Sequence, residues 1–186
     1  MFPEKREWHV AVATMHGRVG AAWSHVEVGR VDSALRAKLC DKDAVEARYS
    51  EVMGWPDSLG LQVVVGLADA RHQSAGEART AHLLWRAALP TPIPQYEVWD
   101  GGELLGIVDF AWPEMGVILE FDGKVKYEKY LREGESAADA VVREKTREDR
   151  IREATGWVVI RVIWSELANP HEIIARIRRA MRRAAA

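Results

Sequence analysis

Cysteine is almost absent from this sequence, and its scarcity excludes several kinds of site. Cys40 is the single cysteine among 186 residues, so the chain forms no internal disulfide and no cysteine-rich zinc site. A lone thiol fits a reducing compartment, and we expect a cytoplasmic protein. Cys40 stands in a helical, partly apolar stretch, which favours a semi-buried thiol over a nucleophile.

Long hydrophobic runs are missing as well. The longest ones, such as Val63–Val65, are far too short to cross a bilayer. The first six residues also lack the apolar stretch of a signal peptide. We therefore expect no membrane partner.

An excess of charge of one sign is the third absence. The formal net charge is −2, so any attraction for phosphate must come from a local basic patch. None of the six histidines shows zinc-ligand spacing. No glycine-rich phosphate loop follows a predicted strand, and there is no Gly-x-Ser-x-Gly elbow. Carboxylates and local basic groups remain as the residues able to carry chemistry.

Helical signals dominate the first part of the chain, and alternating signals dominate the rest. We expect a helical N-terminal segment over residues 1–72 and a second domain over residues 73–186. In the first part, Asp43–Glu46 is interpreted as a capping box that opens one helix. Asp57 is expected to cap another helix that runs to about Arg71.

The second part predicts an α/β fold. Its elements are a helix from Ser74, strands at Tyr96–Trp99, Glu103–Trp112 and Val117–Asp122, a helix from Ser136 to Thr155, a strand at Trp157–Ile163 and a helix from Pro170. This order predicts an αβββαβ core with a mixed sheet covered on both faces, followed by a C-terminal helix.

The second and third predicted strands form a hairpin that brings acids together. If its loop is centred between Glu114 and Met115, Asp109 pairs with Glu120 across the strands, with side chains roughly 5 Å apart. Asp122 shares the face of Glu120 because side chains alternate along a strand. Two carboxylates so close repel unless a cation lies between them. The three acids are therefore interpreted as a hard-oxygen site for Mg²⁺ or Mn²⁺.

The same strands bury large hydrophobic residues on their other faces. These residues are Val108, Phe110, Trp112, Val117, Leu119 and Phe121. The acids thus do not belong to an ordinary solvent-exposed face. The alternative is two unrelated acids near strand ends, with Asp122-Gly123 as a simple turn, and spacing alone leaves both interpretations open.

Other charged residues have two interpretations each. Glu77 is either the third residue of a capping box with Ser74 or a site acid. The charged helix is either a solvated face or presents Lys145 and Arg147 to a phosphate. Just past the acids, two lysines are expected to meet a nucleic-acid backbone. They are Lys124 and Lys126.

Five ordered blocks of residues resemble a known group. The blocks are Ser74-x-x-Glu77, Val108–Pro113, Glu120–Tyr127, Glu144–Asp149 and Gly156–Trp164. In this order they resemble the very-short-patch-repair-like endonuclease domains of the PD-(D/E)XK superfamily. They resemble in particular the actinobacterial proteins in which such a domain follows an AbiEi-type antitoxin segment. The resemblance covers roughly residues 70–168.

The resemblance implies a restriction-endonuclease-like fold and a role for each acid. It makes Asp109 and Glu120 the metal-binding acids and Glu77 the acid supplied by the preceding helix. One departure stands out, because Asp122 occupies the place where the superfamily pattern has a lysine. Such a lysine sometimes moves to a neighbouring helix, and Lys145 is the first candidate, with Lys124 the second.

The expected function is Mg²⁺- or Mn²⁺-dependent hydrolysis of DNA phosphodiesters. In this hypothesis Asp109 and Glu120 hold the ion, and Lys145 stabilises charge on the phosphate. The alternative is a catalytically inactive nuclease-fold protein that binds DNA or regulates a toxin–antitoxin or phage-defence system. A third hypothesis is a protein partner bound through the N-terminal helical segment. The oligomeric state stays open.

Overall fold

The computed structural model describes residues 25–55, 58–123 and 136–184. The chain divides into two compact units, Met1–His82 and Leu83–Ala186. The sequence predicted a boundary between residues 72 and 73, whereas the two units divide between His82 and Leu83, inside the helix Ala75–Arg86. In the described residues, no helix is both long and apolar enough to cross a membrane.

The first unit is helical. Its described elements are α1 (His25–Arg36), α2 (Lys42–Val52), α3 (Ser58–Leu67) and most of α4 (Ala75–Arg86). Valine and leucine side chains of α1, α2 and α3 form one buried cluster that also includes Ala78 of α4. Buried apolar area of this kind is the main source of stability for a short helix.

A buried polar group joins distant parts of the first unit. The Asp32 carboxylate lies 2.9 Å from Nδ1 of His72 and accepts a hydrogen bond from the Asp69 backbone N–H at 2.8 Å. Both Asp32 and His72 are buried. These contacts tie α1 to the segment that links α3 with α4.

Two predictions for this unit are wrong in detail. The N-cap of α2 is Asp41, whose carboxylate accepts a hydrogen bond from the Ala44 N–H at 2.7 Å. The proposed cap, Asp43, is itself in the first helical turn, because the chain leaves its extended conformation earlier. Helix α3 ends at Leu67 rather than near Arg71, and its proposed cap, Asp57, lies outside the described residues.

The second unit contains a four-stranded mixed sheet, and the predicted α/β class is confirmed. The strands are β1 (Ile93–Asp100), β2 (Glu103–Trp112), β3 (Val117–Asp122) and β4 (Val158–Ile163), and they lie in this order across the sheet. The first three are antiparallel neighbours, and β4 is parallel to β3. A parallel pair needs a crossover connection, and α5 (Ala137–Thr155) lies between β3 and β4 in the chain.

The ends of the elements follow local residue chemistry. Ser136 and Asp139 form a reciprocal capping box at the start of α5, and Gly156 ends the helix in the left-handed conformation. Helix α6 (Pro170–Ala184) begins at a proline, as predicted. Strand β1 is longer than predicted and includes Pro94. An edge strand tolerates proline, which lacks a backbone N–H, because some N–H groups of such a strand point away from the sheet and need no partner.

Candidate metal and nucleic-acid site

The hairpin register predicted from the sequence is confirmed. Phe110 pairs with Leu119, Ala111 with Ile118 and Trp112 with Val117, around the turn at Pro113–Met115.

Continued by one step beyond Phe110 and Leu119, this register sets Asp109 opposite Glu120. The negative charge of Asp109 contributes to the raised pKa of Glu120, so the two carboxylates lie within electrostatic reach of each other.

The Asp109 carboxylate is built into the junction of β2 and β3. It is buried, with 9% of the residue exposed. Its Oδ2 atom accepts a hydrogen bond from the Phe121 backbone N–H at 2.7 Å. This side chain therefore satisfies a main-chain donor of the neighbouring strand in addition to facing Glu120.

Two arginines approach the Glu120 carboxylate from different elements. Arg147 of α5 donates a hydrogen bond from Nη2 to Glu120 Oε1 at 2.6 Å. Arg161 of β4, the parallel-strand partner of Glu120, has its Nε 3.7 Å from Oε2. The Glu120 side chain is only 12% exposed, so these ion pairs are screened less than surface pairs.

The ion pairs continue along one face of α5. Arg147 also contacts Glu144, with Nη2 donating to Oε1 at 2.5 Å. Arg161 pairs with Glu148, and its Nη2 lies 3.9 Å from Glu144 Oε1. The result is a carboxylate–guanidinium cluster over the sheet, which we call the charged cluster. Its members are Asp109, Glu120, Glu144, Arg147, Glu148 and Arg161.

A glycine makes room for Arg147 on strand β2. A Cβ atom added to Gly106 would lie 2.9 Å from Arg147 Nη1 and 3.1 Å from its Cδ. Arg147 Nη1 also donates a hydrogen bond to the Ile107 backbone oxygen, at 3.4 Å. The arginine side chain thus lies flat on β2, at a position where any larger residue would push it aside.

Burial sets the protonation behaviour of this cluster. Burial is the largest influence on Glu120 and raises the pKa of its carboxyl group. Arg147 lowers that pKa, whereas the negative charges of Glu144 and Asp109 raise it further. The pKa therefore stays above its ordinary value. Burial by itself would lower the pKa of Arg147, but Glu144 and Glu120 raise it overall. Arg147 is therefore a permanent cation beside a carboxylate whose charge is costly.

The structure separates the two basic candidates of helix α5. Arg147 belongs to the charged cluster. Lys145 is exposed, and its amine makes no hydrogen bond or ion pair with other described residues. Asp122 is half-buried at the end of β3, and Lys124 and Lys126 lie outside the described residues.

Glu77 belongs to the first unit, and its carboxylate is engaged locally. Oε2 accepts a hydrogen bond from the Gln73 N–H at 2.8 Å, and Oε1 accepts one from the Ser74 hydroxyl at 2.8 Å. Ser74 Oγ in turn accepts from the Glu77 N–H at 3.2 Å. The capping role predicted for Glu77 is confirmed, and its role as a metal ligand stays a prediction.

Sequence reasoning missed Arg161 and Gly106. Alternation along β4 gives no hint of which residue faces Glu120, because the register of a parallel pair depends on the crossover helix rather than on a turn. Gly106 carries no signal by itself, since a glycine within a strand indicates only a close approach of some other group. Within the described residues, no group of three or more His, Cys, Asp or Glu side chains is arranged to hold a metal ion.

Fold and site together define an α/β protein with a charged cluster between its mixed sheet and crossover helix. The chain is similar to two Mycobacterium tuberculosis proteins, each named as uncharacterized: MT2308 of strain CDC 1551 / Oshkosh and Rv2248 of strain ATCC 25618 / H37Rv. Each is 28% identical over 194 aligned positions, which cover 91% of this chain and 68% of the relative. The similarity therefore extends over both compact units. No family profile and no solved structure matches the chain.

Proposed function

We propose that this protein is a metal-dependent endonuclease that hydrolyses DNA phosphodiesters at the charged cluster. The observation that carries the proposal is the hairpin register, which sets the buried Asp109 beside Glu120 on adjacent strands. Burying two neighbouring carboxylates is unfavourable for a purely structural purpose. Their resemblance to the acids of the PD-(D/E)XK superfamily supports the same assignment, and a cytoplasmic location agrees with a DNA substrate.

The donor set fits a hard divalent cation. Asp109 and Glu120 supply carboxylate oxygens, which Mg²⁺ and Mn²⁺ prefer. Mg²⁺ is often held by only one or two carboxylates, with waters and substrate phosphates completing its shell. Two protein acids therefore suffice, and within the described residues Asp122, at the end of β3, does not form a three-acid group with them. The chemistry that such an ion supplies is Lewis-acid activation of the phosphate and of an attacking water.

Residues of this chain would bind and orient the substrate. Arg147 is the cation next to Glu120, so we assign to it the phosphate-binding role that was expected of Lys145. A guanidinium suits that role because it is permanently charged and its N–H groups match two phosphate oxygens. Arg161 holds Glu120 and Glu148 from the side of β4 and would keep Glu120 oriented. Lys124 and Lys126 remain proposed contacts to the DNA backbone.

Cleavage of plasmid DNA by single-residue variants tests this proposal. Asp109→Asn and Glu120→Gln each remove a metal ligand while keeping side-chain volume, and each is expected to reduce Mg²⁺- or Mn²⁺-dependent cleavage by about 100-fold or more. The matched control is Glu103→Gln, which changes an exposed carboxylate paired with Arg150 and should leave cleavage unchanged. Wild-type rates in Asp109→Asn would show the assignment to be wrong.

Asparagine is the better substitution at position 109, because alanine would confuse stability with activity. Asp109→Ala would leave the Phe121 N–H without its acceptor in a buried place, which costs about 1–3 kcal/mol. Asparagine keeps an oxygen there. Circular dichroism melting of the variants should therefore show a smaller loss for Asp109→Asn than for Asp109→Ala.

A second candidate function is a catalytically inactive DNA-binding or toxin–antitoxin regulatory protein. Two observations favour it: Asp122 stands at the lysine position of the superfamily pattern, and Arg147 already engages Glu120. A gel shift with short DNA duplexes discriminates the two. Binding that persists in EDTA, together with no cleavage in Mg²⁺ or Mn²⁺, would support the regulator.

For a protein partner of the N-terminal helical segment, the test is co-purification of one stoichiometric protein without nucleic acid.

A further inference from the structure

Arg147 is hydrogen-bonded to the Glu120 carboxylate, which the proposed function assigns to a metal ion. Its Nη2 atom donates to Glu120 Oε1 at 2.6 Å and to Glu144 Oε1 at 2.5 Å. Its Nε atom lies 3.1 and 3.2 Å from the two Glu144 oxygens. One oxygen of Glu120 is thus already neutralised by a cation that belongs to the chain.

The placement of Arg147 is specific rather than a loose surface pairing. Its side chain is 23% exposed and lies on β2 where Gly106 leaves room for it. By contrast, Arg150 of the same helix pairs at the surface: it meets Glu103 at 2.8 Å, with side chains 48% and 64% exposed. Surface pairs of that kind contribute little, whereas a mostly buried pair is much harder to separate.

We propose that Arg147 is a competing internal cation that holds Glu120 until a divalent metal ion displaces it. This inference rests on the proposed function, because it assumes that Glu120 is a metal ligand. A guanidinium and a metal ion attract the same carboxylate oxygen but repel each other. A metal ion that binds Glu120 Oε1 therefore has to displace Arg147 from that oxygen, and the affinity for the ion is reduced by the free energy of the contact.

The proposal also assigns a purpose to Gly106. Its φ is not in the left-handed region, so alanine is compatible with the backbone there. The added Cβ would meet mainly the Nη1 and Cδ atoms of Arg147, which belong to a flexible side chain. Gly106→Ala is therefore expected to move the guanidinium off Glu120 while leaving its charge in the protein.

Binding of Mn²⁺ to the full chain, without DNA, tests the inference. Free Mn²⁺ is followed by electron paramagnetic resonance while the protein is titrated. Arg147→Gln removes the competing cation and should raise Mn²⁺ affinity about tenfold. Gly106→Ala should raise it in the same direction, although the net charge of the protein is unchanged.

Arg150→Gln provides the matched control. It removes one positive charge from the same helix, but its partner Glu103 lies outside the charged cluster, so Mn²⁺ affinity should stay within about twofold of wild type. Melting temperatures measured in EDTA show whether each variant is folded at the titration temperature.

Each result distinguishes the inference from the proposed function. Equal and measurable Mn²⁺ affinity in wild type, Arg147→Gln and Gly106→Ala would overturn the competition and leave the metal site intact. A gain in Arg147→Gln alone would indicate a general charge effect and would also overturn it. No Mn²⁺ binding by any of the proteins would refute the metal site of the proposed function, and the competition with it.

Discussion

At the residue scale, the charged cluster combines carboxylate and guanidinium groups that neutralise one another. Glu120 is nearly buried, which makes its charge costly, and Arg147 offsets only part of that cost. Residues of this kind are common at functional sites, where an unfavourable arrangement is retained for its chemistry. The cluster is therefore expected to reduce stability at the pH where it is charged.

The pH dependence of stability gives a direct prediction for Glu120. Because burial raises its pKa above the ordinary value of 4.5, the folded protein holds this proton more tightly than the unfolded chain does. The stabilising effect of protonation is complete below the unfolded pKa and is lost as pH rises through the folded pKa. Glu120→Gln cannot ionise, so its melting temperature relative to wild type should rise across that window and then stay level.

Thermal melts in EDTA from pH 3.5 to 8 measure this difference. Glu103→Gln serves as the reference, since its exposed carboxylate should give little change with pH. A difference between Glu120→Gln and wild type that does not vary with pH would contradict the raised pKa.

Arg147, the cation in contact with Glu120, illustrates what sequence spacing can and cannot predict. Ile151 marks the buried face of α5, and Arg147 and Glu144 lie four and seven residues before it, which is helical spacing for one face. Lys145 is off that face and is exposed. The arginine was therefore the better candidate on periodicity, and the preference for lysine came from the superfamily pattern.

At the element scale, α5 carries the site arginine and its ends are defined by caps. Ser136 and Asp139 form the N-terminal box, and Gly156 adopts φ 66° at the C-cap. The sequence predicted a helix from Ser136 to Thr155, and these bounds are confirmed, because helix ends that carry caps depend on a few adjacent residues. Hairpin strands β2 and β3 were predicted to the residue for the same reason, since a tight turn sets their register.

The Gly156 cap supplies a prediction about stability. Gly156→Ala forces a Cβ into the left-handed region and should reduce the free energy of unfolding by about 1–2 kcal/mol. Gly156→Asn is the matched control, because asparagine tolerates that conformation better and should cost less. Urea denaturation followed by far-ultraviolet circular dichroism measures both. Equal losses for the two variants would show that backbone conformation is not what the glycine provides.

Elements whose ends depend on distant parts were predicted less well. Strand β1 begins at Ile93 because Ile93 pairs with Ala111 and Pro94 with Phe110, and these partners lie far along the chain. Helix α1 was predicted only as part of a helical segment, without bounds of its own, although Val28, Val31 and Leu35 fall on one buried face. Packing of this face in the buried cluster of the first unit, more than local preference, stabilises the helix.

At the scale of the whole molecule, the two compact units invite a test of their independence. Asp32 and His72 form a buried hydrogen-bonded pair within the first unit, and removing a buried acceptor costs about 1–3 kcal/mol. Asp32→Ala should therefore lower amide hydrogen-exchange protection in α1 and α3. Amides of β2 and β3 should keep their protection if the units unfold separately.

Mass spectrometry of peptides from each unit measures this exchange. Ser33→Ala is a suitable control on the same helix, because Ser33 is exposed and its hydroxyl contacts groups of that helix: it donates to the Gly29 carbonyl and accepts from Arg36 Nη2 at 3.3 Å. Equal loss of protection in β2 and β3 for Asp32→Ala would show a single cooperative unit instead.

The sequence by itself determined the α/β class, the hairpin register and the bounds of helix α5, and it predicted Asp109 and Glu120 as neighbours on adjacent strands. These features follow from contacts among near neighbours in the chain, where alternation, turn length and capping residues act directly. Only the tertiary structure decided which cation meets Glu120, that Arg161 joins it from β4, and that Gly106 makes room for Arg147. These contacts join residues 27 to 41 positions apart, and their geometry depends on how the crossover helix packs on the sheet.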